Sequence, residues 1–346
     1  MDPKKLQSLR DRYPADRPDA SHHPEFNRAV ETIFAGTDRR PKPYEGLSSL
    51  LDAPLRLDAL QQVDLGGLDV ALIGVPLDLG VTNRPGARFG PRAVRGIERI
   101  GPYHHVHHML PLSAVKAADI GDVPFRSRYS LDASIEDIEA VFTKIATAGV
   151  TPLAVGGDHS ITFPILKALG AGRPLGLVHI DAHCDTGPAF EGAKFHHGGP
   201  FRNAVLAGVL DPERCIQIGI RGGAESLWEF SYVSGMTVLH AEEVAQLGIP
   251  AVIEKVRQVI GDGPAYISFD VDSLDPAFAP GTGTPEIGGL TTREALQIVR
   301  GCAGLHVIGG DVVEVAPQYD ATTNTAQAAA QMLFELLAVV VLARGW

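Results

Sequence analysis

Leu177-Val178-His179-Ile180-Asp181-Ala182-His183-Cys184-Asp185 decides both the fold and the chemistry. Its first residues form a short, β-branched apolar run, too brief for a helix, which predicts a buried strand. Asp181, His183 and Asp185 then occupy alternate positions where that strand should end. Side chains at i, i+2 and i+4 of an extended segment project to one side, so one strand end offers three donors to one small volume. Carboxylates crowded this closely repel unless a cation sits among them. A metal site is therefore expected, with further ligands from elsewhere in the chain.

Two segments can supply them. Tyr266-Ile267-Ser268-Phe269-Asp270-Val271-Asp272-Ser273-Leu274-Asp275-Pro276 repeats the pattern, an apolar strand followed by Asp270 and Asp272. Leu153-Ala154-Val155-Gly156-Gly157-Asp158-His159-Ser160 predicts a third strand, ending in two glycines and then Asp158 and His159. The glycines let the backbone turn sharply and approach a site closely. Open α/β sheets bind ligands beyond the carboxyl ends of their parallel strands. Three strands are thus expected to deliver Asp and His residues to one rim.

These three motifs resemble the signatures of the ureohydrolase family, which includes arginase and agmatinase. The likeness continues through Pro280-Gly281-Thr282-Gly283-Thr284-Pro285-Glu286-Ile287-Gly288-Gly289-Leu290 and Asp311-Val312-Val313-Glu314-Val315-Ala316-Pro317, and it spans Asp69 nearly to Trp346. The resemblance implies an α/β fold of three α/β/α layers around a central, mostly parallel sheet. It also implies a catalytic domain over 66–346, preceded by an N-terminal extension over 1–65.

The resemblance implies two Mn²⁺ per chain, with Ni²⁺ as the alternative. His159, Asp181, Asp185 and Asp270 would hold one ion, and Asp181, His183, Asp270 and Asp272 the other, with Asp181 and Asp270 bridging. Two divalent ions, four carboxylates and one hydroxide sum to about −1, and Glu314 adds a further negative charge. A planar guanidinium fits such a site, because a carboxylate can pair with it side-on. Oxygen-rich ligation with only two nitrogens favours manganese over zinc. Metal ions bring the pKa of water toward neutrality, so hydroxide can attack the guanidino carbon. His197, in His196-His197-Gly198-Gly199-Pro200, matches the family's acid/base histidine and would move the proton as urea and an amine separate. His196 reads as structural.

The implied reaction is most like that of an agmatinase, agmatine giving putrescine and urea. Alternatives are a guanidinobutyrase or guanidinopropionase, or a nickel-dependent hydrolase of guanidine or of metformin (the latter releasing dimethylamine and guanylurea). An acidic tail would need a cation, such as Lys194, Arg202 or Arg84 could offer. The loop Gly187–Lys194 lacks the Asn, Ser and Thr pattern with which arginase reads an amino-acid head. Two readings of other classes are a single-zinc deacetylase, which shares the architecture but not the Gly-Gly-Asp-His-Ser motif, and a non-catalytic subunit of a hetero-oligomer.

Composition bounds the rest. The chain has 346 residues, 45% of them apolar, enough for a full core. A net charge of −11 argues against nucleic acid as a partner and suits a small cationic guanidino substrate. Three cysteines argue against a disulfide framework. The start, Met1-Asp2-Pro3-Lys4-Lys5, leads into no apolar signal region, and no apolar run of about 20 residues marks a membrane span. A cytoplasmic protein is expected. Family analogy gives a homo-oligomer, trimer or hexamer, with a hetero-oligomer also possible.

Residues 1–60 are polar and proline-rich, with only Phe26–Phe34 reading as helix, and suit an arm that wraps its own chain or packs on a neighbouring subunit. Val70–Pro76 predicts the first core strand, followed by the loop Gly80–Arg92 near the site's mouth, where Arg84 and Arg88 serve either structure or substrate. A helix follows from about Pro91. His104-His105-Val106-His107-His108 reads as an ordinary loop rather than a metal site. Helices are predicted over Ile135–Ala148, Ile161–Leu169, Ala251–Ile260, Thr292 to about Cys302 after the capping box Thr291-Thr292-Arg293-Glu294, and a buried Asn324–Arg344. Further strands are predicted at Ile216–Ile220, Met236–His240 and Val307–Asp311, the last delivering Glu314 to the rim. Cys184 reads as a packed residue rather than a nucleophile, Asp158 and Asp275 as supporting or capping carboxylates, and Thr282–Thr284 as a pocket wall built from backbone.

Overall fold

Every residue of Val70–Val75 (β1), Thr151–Gly156 (β3) and Leu175–Ile180 (β4) is buried, as strands covered on both faces require. The computed structural model describes residues 1–14, 45–57, 65–97, 102–223 and 225–345. With Ala117–Asp122 (β2), Leu210–Ile220 (β5), Thr237–His240 (β6), Ala265–Asp270 (β7) and Val307–Val313 (β8), these strands form one eight-stranded sheet in the order β2-β1-β3-β8-β7-β4-β5-β6. All pairs are parallel.

Side chains alternate between two apolar cores. Val70, Leu72, Leu153, Val155, Val178 and Ile180 face one, with the helices Ile249–Ile260, Thr292–Gly301 and Asn324–Ala343. Ala71, Ile73, Ala154 and Leu177 face the other, with Leu131–Thr147, Thr162–Leu169 and Pro200–Leu206. Three α/β/α layers result, as the resemblance implied.

Several local readings change. Strand β2 was not foreseen, and β5 begins six residues before the expected Ile216. The helix near Pro91 is short, Gly90–Arg95. In the N-terminal stretch, Pro3–Arg12 is helical, capped by the Asp2 side chain on Lys4 N–H, while Phe26–Phe34 lies outside the described residues. Asn324–Ala343 is long and apolar enough by composition to cross a membrane, contrary to the expectation of no such stretch. Here its length is instead buried in the core, with Glu335 fully enclosed.

His104 leaves the histidine loop to meet that helix. Its Nε2 lies 2.6 Å from Glu335, which Arg300 also grips at 2.7 and 2.9 Å. This is a structural ion cluster. His104 places its nitrogens on Glu335 and on the His107 N–H, so it offers no metal ligand.

Candidate metal centre and active site

The four central strands β3, β8, β7 and β4 are neighbours, and their carboxyl ends carry every residue of interest except His197. His159 follows β3, Glu314 follows β8, Asp270 ends β7 with Asp272 beyond it, and Asp181, His183 and Asp185 follow β4. Gly157 makes the turn after β3 at φ +60, where a Cβ would stand 2.4 Å from the Val75 carbonyl oxygen. Glycine is required there for both reasons. Asp185 and Glu314 also sit at positive φ, 51° and 65°, strain that only a well-packed surround sustains.

His159 is the centre of one donor set. Its Nδ1 lies 3.1 Å from Asp181, 2.9 Å from Asp185 and 3.3 Å from Asp270. That atom is buried and makes no hydrogen bond. Its other nitrogen, Nε2, is 2.8 Å from the Ser268 hydroxyl, which itself donates to Asp311 at 2.6 Å. Ser268 must therefore accept from Nε2–H, which leaves Nδ1 as the nitrogen that takes up a cation or a proton among three carboxylates. Thr162 and Tyr266 hydroxyls hold the other Asp311 oxygen at 2.7 and 2.9 Å.

His183 is the centre of the second set, with Nδ1 3.2 Å from Asp272 and 3.5 Å from Asp181. Asp181 turns Oδ2 toward His159 and Oδ1 toward His183, so it alone reaches both sets through these contacts. Asp270 points Oδ2 at His159, while its Oδ1 accepts the Asp272 N–H. Among the described residues, His159, His179 and Asp181, and separately Asp181, His183 and Asp272, hold donor atoms within 4.8 Å of one another.

The charges fit a cation. Burial opposes protonation of His159, yet Asp181, Asp185 and Asp270 push it well above its ordinary value. Burial and then Asp181 raise Asp272 to about 6, and burial with Asp272 and Asp181 raises Asp270 well above the carboxylate range. Four carboxylates and two imidazoles, dry and converging, need positive charge among them. Oxygen-rich donors with one nitrogen in each set suit hard divalent ions.

His197 stands beside this centre. Nδ1 lies 2.9 Å from Glu314 Oε1, and Nε2 lies 2.7 Å from the Thr82 hydroxyl and 3.1 Å from its N–H. Burial works against the proton, but Glu314 raises His197 to about 9. Glu314 Oε1 also takes the His159 N–H at 2.9 Å, while Oε2 is buried without a partner. Glu314 sits behind His197, not on the cavity surface.

A cavity of about 430 Å³ opens above, lined by Asp185, Asp270, Asp272, His183, His196, His197, Thr82 and Thr284, with Phe190, Leu227 and Trp228 forming an apolar side. No Lys or Arg lines it among the described residues. Arg84 spends its guanidinium on the carbonyls of Thr282 and Gly283 and over the Tyr319 ring, and Arg88 pairs with Asp78. Lys194 lies over Phe195 at 5.1 Å and Arg202 over Phe230 at 4.9 Å. None of the three expected tail cations reaches the lining.

Thr284 corrects the backbone-only reading of its loop, since its side chain donates to Asp272 at 3.2 Å. Asp158 caps the turn after β3, accepting the Ser160 and Gly80 N–H groups. Asp275 closes its own turn on the N–H groups of Ala277, Gly288 and Gly289. His196 lies 2.8 Å from the Pro188 carbonyl and staples its loop. Cys184 borders the cavity but is 3% exposed, and burial lifts its thiol to about 12, too high for a nucleophile at neutral pH. The reading of isolated motifs missed Ser268, Asp311, His179 and Gln217. Polar residues inside otherwise apolar strands were the available signal.

A family model described as the arginase family matches residues 68–339. A guanidinopropionase from Pseudomonas aeruginosa is 49% identical over 290 residues, 83% of this chain and 90% of that protein. A mitochondrial agmatinase from Gallus gallus is 47% identical over 299 residues, 85% of this chain and 86% of that protein. Among solved structures, proclavaminate amidino hydrolase from Streptomyces clavuligerus superposes with a TM-score of 0.82 at 35% identity, covering 88% of this chain and 100% of that one.

Proposed function

The chain belongs to the arginase family, and from that premise we propose that it hydrolyses the guanidino C–N bond of agmatine, releasing urea and putrescine at a two-metal centre. The observation that carries this reading is the unpartnered, buried His159 Nδ1 facing three carboxylates at 2.9–3.3 Å. His159, Asp181, Asp185 and Asp270 would hold one divalent ion, and Asp181, His183, Asp270 and Asp272 the other, manganese being favoured and nickel the alternative. When bound, the ions would neutralise these carboxylates and make water a nucleophile at neutral pH.

The chain's own residues do the rest. The acidic cavity floor draws the guanidinium in, and the apolar side excludes water from its alkyl stem. Glu314 holds His197 by Nδ1, which aims Nε2 at the cavity; once Nε2 leaves Thr82 it can pass a proton to the departing amine. Glu314, enclosed behind His197, would act on the substrate through that imidazole rather than by direct contact.

Agmatine is preferred over guanidino acids because the described lining carries three carboxylates and no fixed cation. The guanidinopropionase relative at 49% identity keeps the acid-tailed alternative in the test. A non-catalytic subunit is disfavoured by the complete donor set. Residues 66–346 would form the catalytic domain and 1–65 an extension to it. The assembly would be a cytosolic homo-oligomer, a trimer or hexamer by family analogy.

The test is urea release from agmatine, 4-guanidinobutyrate, 3-guanidinopropanoate and guanidine, and dimethylamine release from metformin. Metal-free protein is resupplied with Mn²⁺ or Ni²⁺ in parallel. Highest kcat/KM for agmatine with Mn²⁺ supports the reading. A fully metallated protein inert toward every guanidine overturns it.

A further inference from the structure

One row of buried polar side chains crosses the sheet directly beneath the donor rim. Gln217 on β5 is in register with His179 on β4, His179 with Ser268 on β7, and Ser268 with Asp311 on β8. All four are 0% exposed. Residues in register on parallel strands share a face, so this row lies under Asp181 and Asp270, each two residues further along its strand. A core strand has no need of an imidazole here, and a buried one is costly unless its hydrogen bonds are complete.

His179 completes them in one direction only. The Gln217 amide nitrogen donates to the Cys184 carbonyl at 2.6 Å and lies 3.0 Å from His179 Nδ1. A flipped amide would set oxygen against the Cys184 carbonyl, so nitrogen must face Nδ1. Nδ1 therefore accepts, and Nε2 carries the proton 2.7 Å from Asp181 Oδ2. Asp181 is the carboxylate that turns one oxygen to each donor set.

We infer that Gln217 and His179 are positioning residues, a two-step relay that fixes the His179 tautomer and thereby the rotamer of Asp181 as a ligand shared by two metal ions. The inference rests on the two-metal reading above. It assigns the Gln217–His179 half of the row to Asp181, as the Ser268–Asp311 half serves His159. The halves meet at Asp181 Oδ2, 2.7 Å from His179 and 3.1 Å from His159, so their effects on metal binding should couple rather than add.

The experiment is Mn²⁺ binding to chelator-treated full-length protein, with free Mn²⁺ followed by its EPR signal, alongside the melting temperature of each metal-free variant. His179→Leu removes the donor and should weaken Mn²⁺ binding roughly 10–100-fold. His179→Gln retains an N–H at the Nε2 position and should recover most of that loss. Gln217→Leu removes the donor that fixes Nδ1 as acceptor and should weaken Mn²⁺ binding by less than His179→Leu, because the tautomer is freed while the Nε2 donor remains. Should all three variants bind Mn²⁺ as the unaltered protein does, or should His179→Gln be as weak as His179→Leu, the relay is refuted. Lower melting temperatures with unchanged Mn²⁺ affinity would likewise reduce these residues to packing and refute it. Failure of the unaltered protein to hydrolyse any guanidine would sink the proposed reaction while leaving this comparison of affinities intact.

Discussion

Glu314 Oε1 lies 2.9 Å from His197 Nδ1 and 2.9 Å from the backbone N–H of His159, so one carboxylate oxygen joins the proposed acid/base residue to the metal centre. Glu314 reaches this position at φ 65°, just past the end of β8. Replacing it with Gln removes the charge that holds His197 up to about 9 against the effect of burial. Glu314→Gln should lower kcat by 10²–10⁴-fold, the range for a positioned acid or base. The pH–rate limb belonging to His197 should also move to lower pH. A full pH profile measures both, and an unmoved limb would separate Glu314 from His197.

Asp272 gives the metal-free protein its own pH dependence. Burial and Asp181 hold this carboxyl at about 6 in the folded chain, against 3.8 ordinarily. Between those values the folded state binds a proton that the unfolded state has released, so this group's contribution is greatest below about 4 and is lost as pH rises through 6. Chelated protein should therefore melt higher at pH 5 than at pH 7. Saturating Mn²⁺ should raise the melting temperature at pH 7 and cancel that trend. Calorimetry at the two pH values, with and without metal, decides it.

Glu335 predicts the opposite sign in its cluster with His104 and Arg300. Burial alone would raise it, but His104 and Arg300 bring it down to about 2. Its contribution is present above its ordinary value of 4.5 and is lost as pH falls toward 2. Glu335→Gln leaves Arg300 and His104 without their counter-charge and should cost about 3 kcal/mol. A drop of several degrees in melting temperature is expected, with kcat of the metal-loaded protein unchanged.

Arg84 holds the loop bearing Thr82 against the segment bearing Thr284, through two hydrogen bonds of 3.2 and 3.0 Å and the Tyr319 ring. Arg84→Ala should raise KM by up to about thirtyfold, two hydrogen bonds at about 1 kcal/mol each setting the upper limit, with a smaller effect on kcat. Arg202→Ala should leave both constants alone, because Arg202 packs on Phe230 away from the lining. Steady-state kinetics on agmatine compare the two, and a large effect at Arg202 would point instead to a tail-binding cation.

The ligand residues were legible because their information is local. Asp181, His183 and Asp185 need only a strand's twofold period to face one way, and Asp2 before Pro3 is a local cap that a closer reading would have used to place the helix Pro3–Arg12. Nothing local marks the partners of these residues. Glu314 and His197 are 117 residues apart, and His104 and Glu335 are 231 apart.

By itself the sequence determined the strands, the rim where they end and the residue types gathered there, since period and composition act within a few residues. Tertiary structure decided which strands became neighbours and in what register. That placed Gln217 beside His179, Ser268 beside Asp311 and Glu314 behind His197, and it turned Arg84, Lys194 and Arg202 away from the cavity. The physical reason is that a hydrogen bond or an ion pair depends on distances of a few ångströms between side chains, and only the folding of the whole sheet sets those distances.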